Sequence, residues 1–461
     1  GDLSTFQFDW FDDDFPDEWM VISGPYAPVY RDATEATVAF EYRGEDWWGH
    51  DILYKDVPNY SAEQRDAYGE KDGIPKYIAS TRFYANPEQD LAFIRGDIDL
   101  FAGYYANIWE VLEDADECFP VSMVTTWFGH DSPYQLAASS MMNLAPNHEK
   151  GILGVPEFRQ ALSMAIDYDP IPDAAASGYW MQGVPGWLHP NSNLHKDYYD
   201  ASITTAYQKE LDVDGAIALL QSIPGMSGSV DDGWTYNGED VGPYTAVTPT
   251  GWTDATAWTT MSTDNIRDNL GIDIEVQEGD FELVYQADIA DDSFDFAMAC
   301  CGNRLSEVPE RFLDYLRGNS LWNKNITNWD SALGDEFNAL WNELDAASEE
   351  DYADNLDRMQ EILALEVPEI VGFVNGYWYA VSEWQWEGWT TAENNFQHIV
   401  TTWTDSEFAI KTRLWMNLVN TGRKDEEVIP FFGLELMIAL GVISITAITA
   451  LRLRKKRKKR E

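Results

Sequence analysis

The strongest constraint on this chain lies at its C-terminal end, where a long apolar stretch precedes a cluster of basic residues. Residues 428–451 carry a single charged side chain, Glu435, and about 20 apolar residues suffice to cross a bilayer as a helix. The final ten residues, 452–461, contain eight Lys and Arg. Because basic clusters beside a span stay in the cytoplasm, the pattern predicts a single-pass membrane protein with an extracellular remainder and a cytoplasmic C-terminus.

The rest of the chain is strongly acidic. Without the tail it contains 22 basic and 79 acidic side chains, which give a net charge of −57. Such a charge keeps a protein soluble and repels phosphate groups, so no nucleic-acid partner is expected. The 45% of hydrophobic residues, with 20 Trp and 23 Tyr, supply enough core-forming side chains for a folded ectodomain.

Cysteine is too rare in this chain to supply a disulfide framework. There are three, Cys118, Cys300 and Cys301, and the sequence favours buried small hydrophobic side chains over a metal pair at the last two. Apolar packing must therefore hold the ectodomain together. Since some 427 residues exceed one core, two or more domains are predicted.

Strand-like and helix-like segments alternate along the chain. Residues 36–42 alternate apolar and polar side chains as in a half-buried strand, whereas 158–166 have helical spacing. A long helix is predicted from about 349 to 365, before Pro368, and a short buried strand follows at 370–374. This alternation indicates an α/β fold.

Seven segments match, in order, motifs that occur together in one protein family. Residues 23–26 (SGPY) and 92–99 (AFIRGDID) look like a Gly-Pro-Tyr turn and a Gly-Glu-Ile-Asp segment of that family. The most specific match is 155–171, VPEFRQALSMAIDYDPI, and the others are 178–190, 269–274, 294–296 and 359–368. The chain thus resembles the extracellular solute-binding proteins of ABC importers, in the family (family 5) that takes up peptides, nickel and some oligosaccharides.

The resemblance implies an α/β, two-lobed, periplasmic-binding-protein-like (type II) fold. Residues 1–120 with 385–427 would form an incomplete first lobe and 121–384 the second, followed by the transmembrane helix, 428–451, and the basic tail, 452–461. In such proteins the Gly-Pro-Tyr turn comes well into the first lobe, so an upstream portion is expected, either in the same chain or, if the precursor is cleaved, as a separate fragment that stays docked. A C-terminal span in place of an N-terminal lipid suggests an archaeal surface protein.

In such proteins the solute lies between two lobes, in a cleft lined with aromatic side chains and a few polar anchors. The aromatic candidates here are Trp127, Trp180, Trp187, Trp252, Tyr377 and Trp378. Core packing is the alternative for each of them. Trp252 has the strongest case because it follows a loop signal, Pro249-Thr-Gly251.

Peptide-binding members of the family anchor the ligand ammonium with an Asp shortly after the strand matched by 294–296. That Asp is not evident here, and Asn303 and Arg304 lie near its position. Because a guanidinium repels an ammonium, Arg304 favours a carboxylate or another anion, unless Glu307 binds a cation instead.

No enzyme, cofactor or metal site is predicted. The chain lacks a Gly-x-Ser-x-Gly elbow and a phosphate-binding loop. Sequons at Asn59 and Asn325 are glycosylation candidates in the predicted ectodomain.

Two functions are open at this point. The first is a membrane-anchored extracellular substrate-binding protein of an ABC importer, which captures a peptide-like or other small solute between two lobes and delivers it to a permease. The alternative is a structural cell-surface protein, such as an envelope-lattice subunit, built on the same fold. A water-excluding cleft with convergent polar groups would favour the first.

Overall fold

The structure, a computed structural model, describes residues 25–32, 37–44, 47, 75–106, 108, 124–127, 135–192, 194–207, 210–300, 308–318, 325–392 and 418–421. The predicted transmembrane helix at 428–451, the basic tail, and the candidates Asn59, Asn303 and Arg304 lie outside these residues. Within them, no helix is both long and apolar enough to cross a bilayer.

Most described helices lie between residues 150 and 370. They are α1 (Asn86–Arg95), α2 (Pro156–Met164), α3 (Ile171–Ala176), α4 (Ala201–Ala206), α5 (Val213–Ser222), α6 (Thr253–Leu270), α7 (Gln286–Ala290), α8 (Pro309–Asp314), α9 (Ala332–Glu343) and α10 (Glu349–Glu366). Single 3-10 segments lie at Gly151–Gly154, Tyr315–Arg317 and Leu344–Ala346, and a π-helical turn at Phe281–Tyr285. The helices predicted at 158–166 and 349–365 are confirmed as α2 and α10.

The strands form one large sheet and several small ones. They are β1 (Tyr26–Asp32), β2 (Thr37–Tyr42), β3 (Tyr77–Thr81), β4 (Leu100–Phe101), β5 (Val124–Thr126), β6 (Gln135–Pro146), β7 (Met181–Gln182), β8 (Met226–Ser229), β9 (Gly233–Tyr236), β10 (Glu239–Asp240), β11 (Tyr244–Pro249), β12 (Ile274–Gly279), β13 (Phe296–Ala299), β14 (Ile370–Trp378), β15 (Ala380–Ser382), β16 (Trp386–Glu387) and β17 (Val419–Asn420). The strands predicted at 36–42 and 370–374 are confirmed as β2 and β14.

The large sheet has the order β12-β11-β13-β6-β14-β7. Strand β11 is parallel to β12 and β13, whereas β6 is antiparallel to β13 and β14. All four residues of β13 are buried. Because a strand buried on both faces needs apolar side chains throughout, its sequence, FAMA, shows no alternation.

The core of this sheet is aromatic. Trp258 of α6 and Phe373 of β14 meet edge to face, with ring centroids 5.4 Å apart, and Trp180 stacks on the same phenylalanine at 5.5 Å. Cys300, directly after β13, is buried and disulfide-bonded, which corrects its interpretation as a plain small hydrophobe. Its partner lies outside the described residues, as Cys118 and Cys301 both do.

A buried arginine joins α2 to the end of α10. The guanidinium of Arg159 donates to the carbonyl oxygens of Val367 (2.9 Å) and Leu153 (2.8 Å) and also to that of Glu366. Helix α10 stops there because Val367 has a φ of +44° and Pro368 cannot continue a helix. Arg159 thus satisfies carbonyl groups that a helix end leaves without intrahelical partners.

Three small sheets lie in the segments assigned to the first lobe and its boundaries. In the sheet β4-β15-β5, Ala380 pairs with both Phe101 and Thr126, so the two chain crossings near the predicted boundaries at 120 and 384 lie side by side. The other two sheets have the orders β1-β2-β3 and β16-β17. The lobe boundaries themselves stay a prediction.

Candidate functional site

A cavity of about 660 Å³ lies beside β3. One wall is the run 77–84, and a second comes from residues 97–100. Trp252 and Phe281 form a third wall, and three late residues add to the lining: Trp386, Trp389 and Leu418. This volume falls within the range of ordinary small-molecule sites, and seven of the 21 lining residues are aromatic.

Strand β3, which lines this cavity, is the edge strand of its sheet within the described residues. It pairs antiparallel with β2, for example Ala79 with Ala39, and within the described part of the chain no strand pairs with its other edge. Ser80 and Thr81 are exposed and line the cavity. Because an unpaired edge offers a row of backbone donors and acceptors, it suits a ligand with an extended, amide-like backbone.

The wall formed by Trp252 and Phe281 is part of a stack of aromatic rings. Trp252 and Phe281 lie 5.0 Å apart at an interplanar angle of 18°, and Phe281 stacks in turn on Tyr285 at 5.6 Å. Trp252 directly precedes α6, and Gly251 before it has a φ of +81°, which favours glycine. Because the three rings stack on one another, the wall is preformed.

Asp99 is the acidic side chain most enclosed by the cavity. Burial raises the pKa of its carboxyl to about 6, and a hydrogen bond from the Trp386 side chain opposes part of that rise. Asp97 also lines the cavity but is exposed. The lining includes one cation, Arg82, whose guanidinium lies 4.8 Å from the centre of the Tyr84 ring. The charged groups of the lining therefore sum to a small negative charge.

Of the aromatic candidates whose side chains the structure describes, Trp252 is the one that lines this cavity. Trp127 is buried behind it, in a cluster with Trp389 and Leu418, which do line it. Trp378 is 6% exposed and its ring lies 5.1 Å from that of Tyr104.

The remaining candidates lie in the large sheet or against it. Trp180 stacks on Phe373 and donates through its indole nitrogen to Asn375 Oδ1 at 3.3 Å. Trp187 is 0% exposed and packs against Phe312 and Tyr315 of the second predicted lobe. For Tyr377 the structure describes the backbone, which pairs with Leu136 in the ladder between β14 and β6.

Several lining residues were missed by sequence reasoning. The run 77–84, YIASTRFY, has the alternating pattern of a half-exposed strand, and its aromatic ends were a usable signal. Asp99 lies in a segment that carried the family resemblance, where it was interpreted only as part of a motif. Phe281 had no local signal, because its role comes from stacking on Trp252 across 28 intervening residues.

The sequon at Asn325 is engaged in local hydrogen bonds. Its Oδ1 accepts from the backbone nitrogen (3.1 Å) and the hydroxyl (2.9 Å) of Thr327, and its Nδ2 donates to the Trp329 carbonyl oxygen at 3.2 Å. Thr327 is fully buried. Glycosylation at Asn325 stays a prediction, as it does at Asn59, which lies outside the described residues.

Comparison with known protein families identifies the family to which the chain belongs. Residues 3–324 match the family described as bacterial extracellular solute-binding proteins, family 5 Middle. The chain therefore belongs to this family, whose members are substrate-binding transport proteins rather than enzymes. No curated protein matches the chain in sequence.

Solved structures of such proteins share the fold. A periplasmic oligopeptide-binding protein of Thermotoga maritima with bound mannohexaose is 20% identical, with a TM-score of 0.72 over 87% of this chain and 69% of that one. OppA of Haemophilus influenzae in complex with the peptide RPPGFSPFR is 13% identical, with a TM-score of 0.60 over 91% of this chain and 67% of that one. NikZ of Campylobacter jejuni in complex with Ni(L-His) is 13% identical, with a TM-score of 0.59 over 86% and 68%. The predicted α/β, periplasmic-binding-protein-like fold is thus confirmed.

Proposed function

We propose that this protein is a membrane-anchored extracellular receptor of an ABC importer that captures a peptide-like or other small solute in the cavity beside β3. The cavity is the observation that carries the proposal, since strand β3, which has one edge unpaired within the described residues, and a stack of aromatic rings line the same space of about 660 Å³. Captured solute then passes to a permease, and no bond is made or broken. Membership of family 5 supports the same class of function.

The lining also supports a choice of ligand chemistry. An open strand edge pairs with peptide-like backbones, and stacked aromatic rings accept apolar side chains, sugar rings or cations. The relatives named above were solved with an oligosaccharide, a peptide and a nickel–histidine complex, so the fold alone does not select among these. The β3 edge favours a short peptide in this chain.

We assign Asp99 as the anchor for a cationic group of that solute. Its carboxyl is enclosed and paired with an uncharged indole, so an ammonium would supply the missing countercharge. This assignment reverses the ligand charge inferred from Arg304, which lies outside the described residues. Anions are in addition repelled by the net charge of the chain, −50.

A ligand screen tests the function. Thermal unfolding of the full chain is measured with short peptides, free or N-acetylated, and with linear oligosaccharides. A true ligand at a hundredfold excess over its Kd should add about 2.7 kcal/mol to the free energy of unfolding. If none of these compounds shifts the unfolding temperature, the receptor proposal fails.

Two variants with matched controls test the site. Trp252→Ala should abolish the shift given by a hit, whereas Trp341→Ala, which removes a half-buried tryptophan of α9 outside the cavity, should leave it intact. Asp99→Asn should weaken binding of a free-amino peptide about tenfold but not of its acetylated form, since a hydrogen bond to a charged group contributes about 1.5–3 kcal/mol. Asp97→Asn removes the same charge from an exposed position, so equal effects of the two variants would refute the anchor.

The membrane anchor is part of the proposal. The apolar stretch at 428–451 and the basic tail support it. In intact cells, a C-terminal epitope tag should resist added protease while the ectodomain is digested, and deletion of 428–461 should release the protein. Digestion of the tag would reverse the proposed topology.

The cavity also bears on the alternative, an envelope-lattice subunit. A structural subunit has no need of a cavity with an aromatic wall and a half-buried carboxyl group, so the cavity favours the receptor.

A further inference from the structure

Two acidic side chains interact electrostatically where the first predicted lobe touches the second. Asp90 lies on α1 and Asp254 is the second residue of α6. The helices are tied at their N-terminal ends, because Asn86 Nδ2 donates to Thr253 Oγ1 (3.2 Å) and Asp254 Oδ1 (3.4 Å). The backbone nitrogen of Asn86 also donates to the carbonyl oxygen of Gly251 at 3.0 Å. This contact joins segments on opposite sides of the chain crossing near residue 120.

The carboxyl groups of Asp90 and Asp254 have few groups around them that would stabilise two negative charges. Asp254 is 6% exposed, and Oδ1 of Asp90 is buried without a hydrogen-bond partner among the described residues. The titratable groups that act on the pair are the two carboxyls themselves and the hydroxyls of Tyr104 and Tyr105. No Lys or Arg within the described part of the chain is among them.

The two carboxyls differ in how their charges are stabilised. Burial, and secondarily the charge of Asp254, raises the pKa of Asp90 to about 8. Burial raises the pKa of Asp254 to about 6, and hydrogen bonds from the α6 backbone and from Asn86 limit that rise. Asp254 is therefore the member that ionises first, and Asp90 retains the proton.

We propose that Asp90 and Asp254 form a proton-dependent latch that holds the two lobes together. When the helices meet, the pair is stable with at most one negative charge, because two adjacent buried carboxylates repel each other. When the lobes separate, water solvates each carboxyl and the constraint disappears. Closure of the lobes therefore takes up a proton.

The latch acts on the cavity through a short connection. Trp252, on the aromatic wall, precedes Asp254 by two residues, and Gly251 touches α1 through its carbonyl oxygen. Holding Asp254 against α1 thus holds the aromatic wall against the first lobe. The proposal rests on the proposed function in one respect, namely that the lobes separate to admit a solute.

The direction of the pH dependence follows from the pKa of Asp90. A carboxyl whose pKa is higher in the closed state favours closure at low pH, and this contribution is lost as the pH rises through about 8. For one proton, the closing equilibrium constant falls by at most about tenfold per pH unit. Release of solute is therefore favoured by alkaline conditions.

A distance measurement on the solute-free full chain tests the latch. Spin labels are attached by click chemistry at Arg95 on α1 and Asp268 on α6, which are both exposed. Pulsed electron spin resonance should give a short inter-label distance at pH 5.5 and a longer one at pH 9.5. Asp90→Asn, which imitates the protonated carboxyl, should keep the short distance at both pH values, and so should Asp254→Asn.

Glu88→Gln is the matched control, since it removes an exposed acidic charge from the same helix. In this variant the inter-label distance should increase from pH 5.5 to pH 9.5, as it does in the native chain. The latch is refuted if the native distance does not change with pH, or if Asp90→Asn opens like Glu88→Gln. A purely structural role for Asp90 would move the unfolding temperature but not the distance. Because no solute is used, this experiment can succeed even if the ligand screen fails.

Discussion

The core of the large sheet and the wall of the cavity use the same kinds of side chain in different ways. In the core, Trp187 and Trp258 are 0% exposed, and the buried charge of Arg159 is satisfied by three backbone carbonyls. In the wall, Trp252 is half-buried, and Asp99 is enclosed with an indole as its donor. A region whose rings are fully buried gains stability from that burial but presents no ring surface to a ligand. The wall keeps part of its aromatic surface accessible to a ligand.

The largest expected effect is a difference in stability loss between variants of two tryptophans. Trp187→Ala should lower the free energy of unfolding by about 3–5 kcal/mol, because it empties a filled core site. Trp252→Ala should cost much less stability, because its ring is already half exposed, while it abolishes solute binding. Urea unfolding and calorimetric binding of the same samples measure both quantities. Equal losses of stability in the two variants would erase the distinction between core and wall.

A second test concerns buried charge. Arg159→Ala should cost about 3 kcal/mol, because it leaves helix-end carbonyls buried without donors. Arg358→Ala, which breaks partly exposed ion pairs with Glu336 and Glu361, should cost less than about 1 kcal/mol. Chemical denaturation measures the free energy of unfolding of both variants. Equal losses of stability in Arg159→Ala and Arg358→Ala would contradict the role given to Arg159.

Glu369 provides a third test, through pH. This side chain is fully buried and accepts a hydrogen bond from Asn143 Nδ2 at 2.8 Å, and burial raises its pKa to about 7. Since the folded pKa exceeds the ordinary value of 4.5, the stabilising effect of the proton is complete below about pH 4.5 and is lost as the pH rises through about 7.

The slope of stability against pH in this range should therefore be more negative in the native chain than in Glu369→Gln, by at most about 1.4 kcal/mol per pH unit. Glu361→Gln, on the exposed side of α10, serves as the control and should keep the native slope. Unfolding measured every half unit from pH 4.5 to 8 gives both slopes. Identical slopes for native chain and Glu369→Gln would show that Glu369 does not retain a proton in the fold.

The smallest expected effect compares two glycines of similar conformation. Gly251 and Gly238 have φ values of +81° and +88°. A Cβ on Gly251 would lie 2.5 Å from the Cβ of Ala85, whereas one on Gly238 meets nothing within 4 Å. Gly238→Ala should thus cost only the backbone strain, about 1 kcal/mol, and Gly251→Ala somewhat more. Thermal unfolding of the two variants measures this difference. Equal unfolding temperatures would mean that the loop before α6 shifts to accommodate the added methyl group at almost no cost.

Much of the fold was accessible from local patterns. The helices α2 and α10 and the strands β2 and β14 were predictable because each is a run of suitable periodicity with a clear end, such as Pro368 after α10. The disulfide at Cys300 was not, because pairing of cysteines depends on distances that sequence order does not give. The same holds for Arg159, whose acceptors on Glu366 and Val367 lie more than 200 residues further along.

The candidate site was predictable only in part. A loop signal drew attention to Trp252, which lines the cavity, but the aromatic candidates also included Trp187, which lies in the core. Whether a tryptophan faces a core or a cleft depends on its neighbours in space, and those of Trp187 are Phe312 and Tyr315, far along the chain.

Composition and local order were enough to establish the acidic character, the alternation of helices and strands, the family, and the predicted membrane span, because these properties are written in consecutive residues. The cavity, the open edge of β3, the enclosure of Asp99 and the meeting of Asp90 with Asp254 came from the tertiary structure. Each of these brings together groups that are distant along the chain, and the energy of a buried group depends on what surrounds it in space.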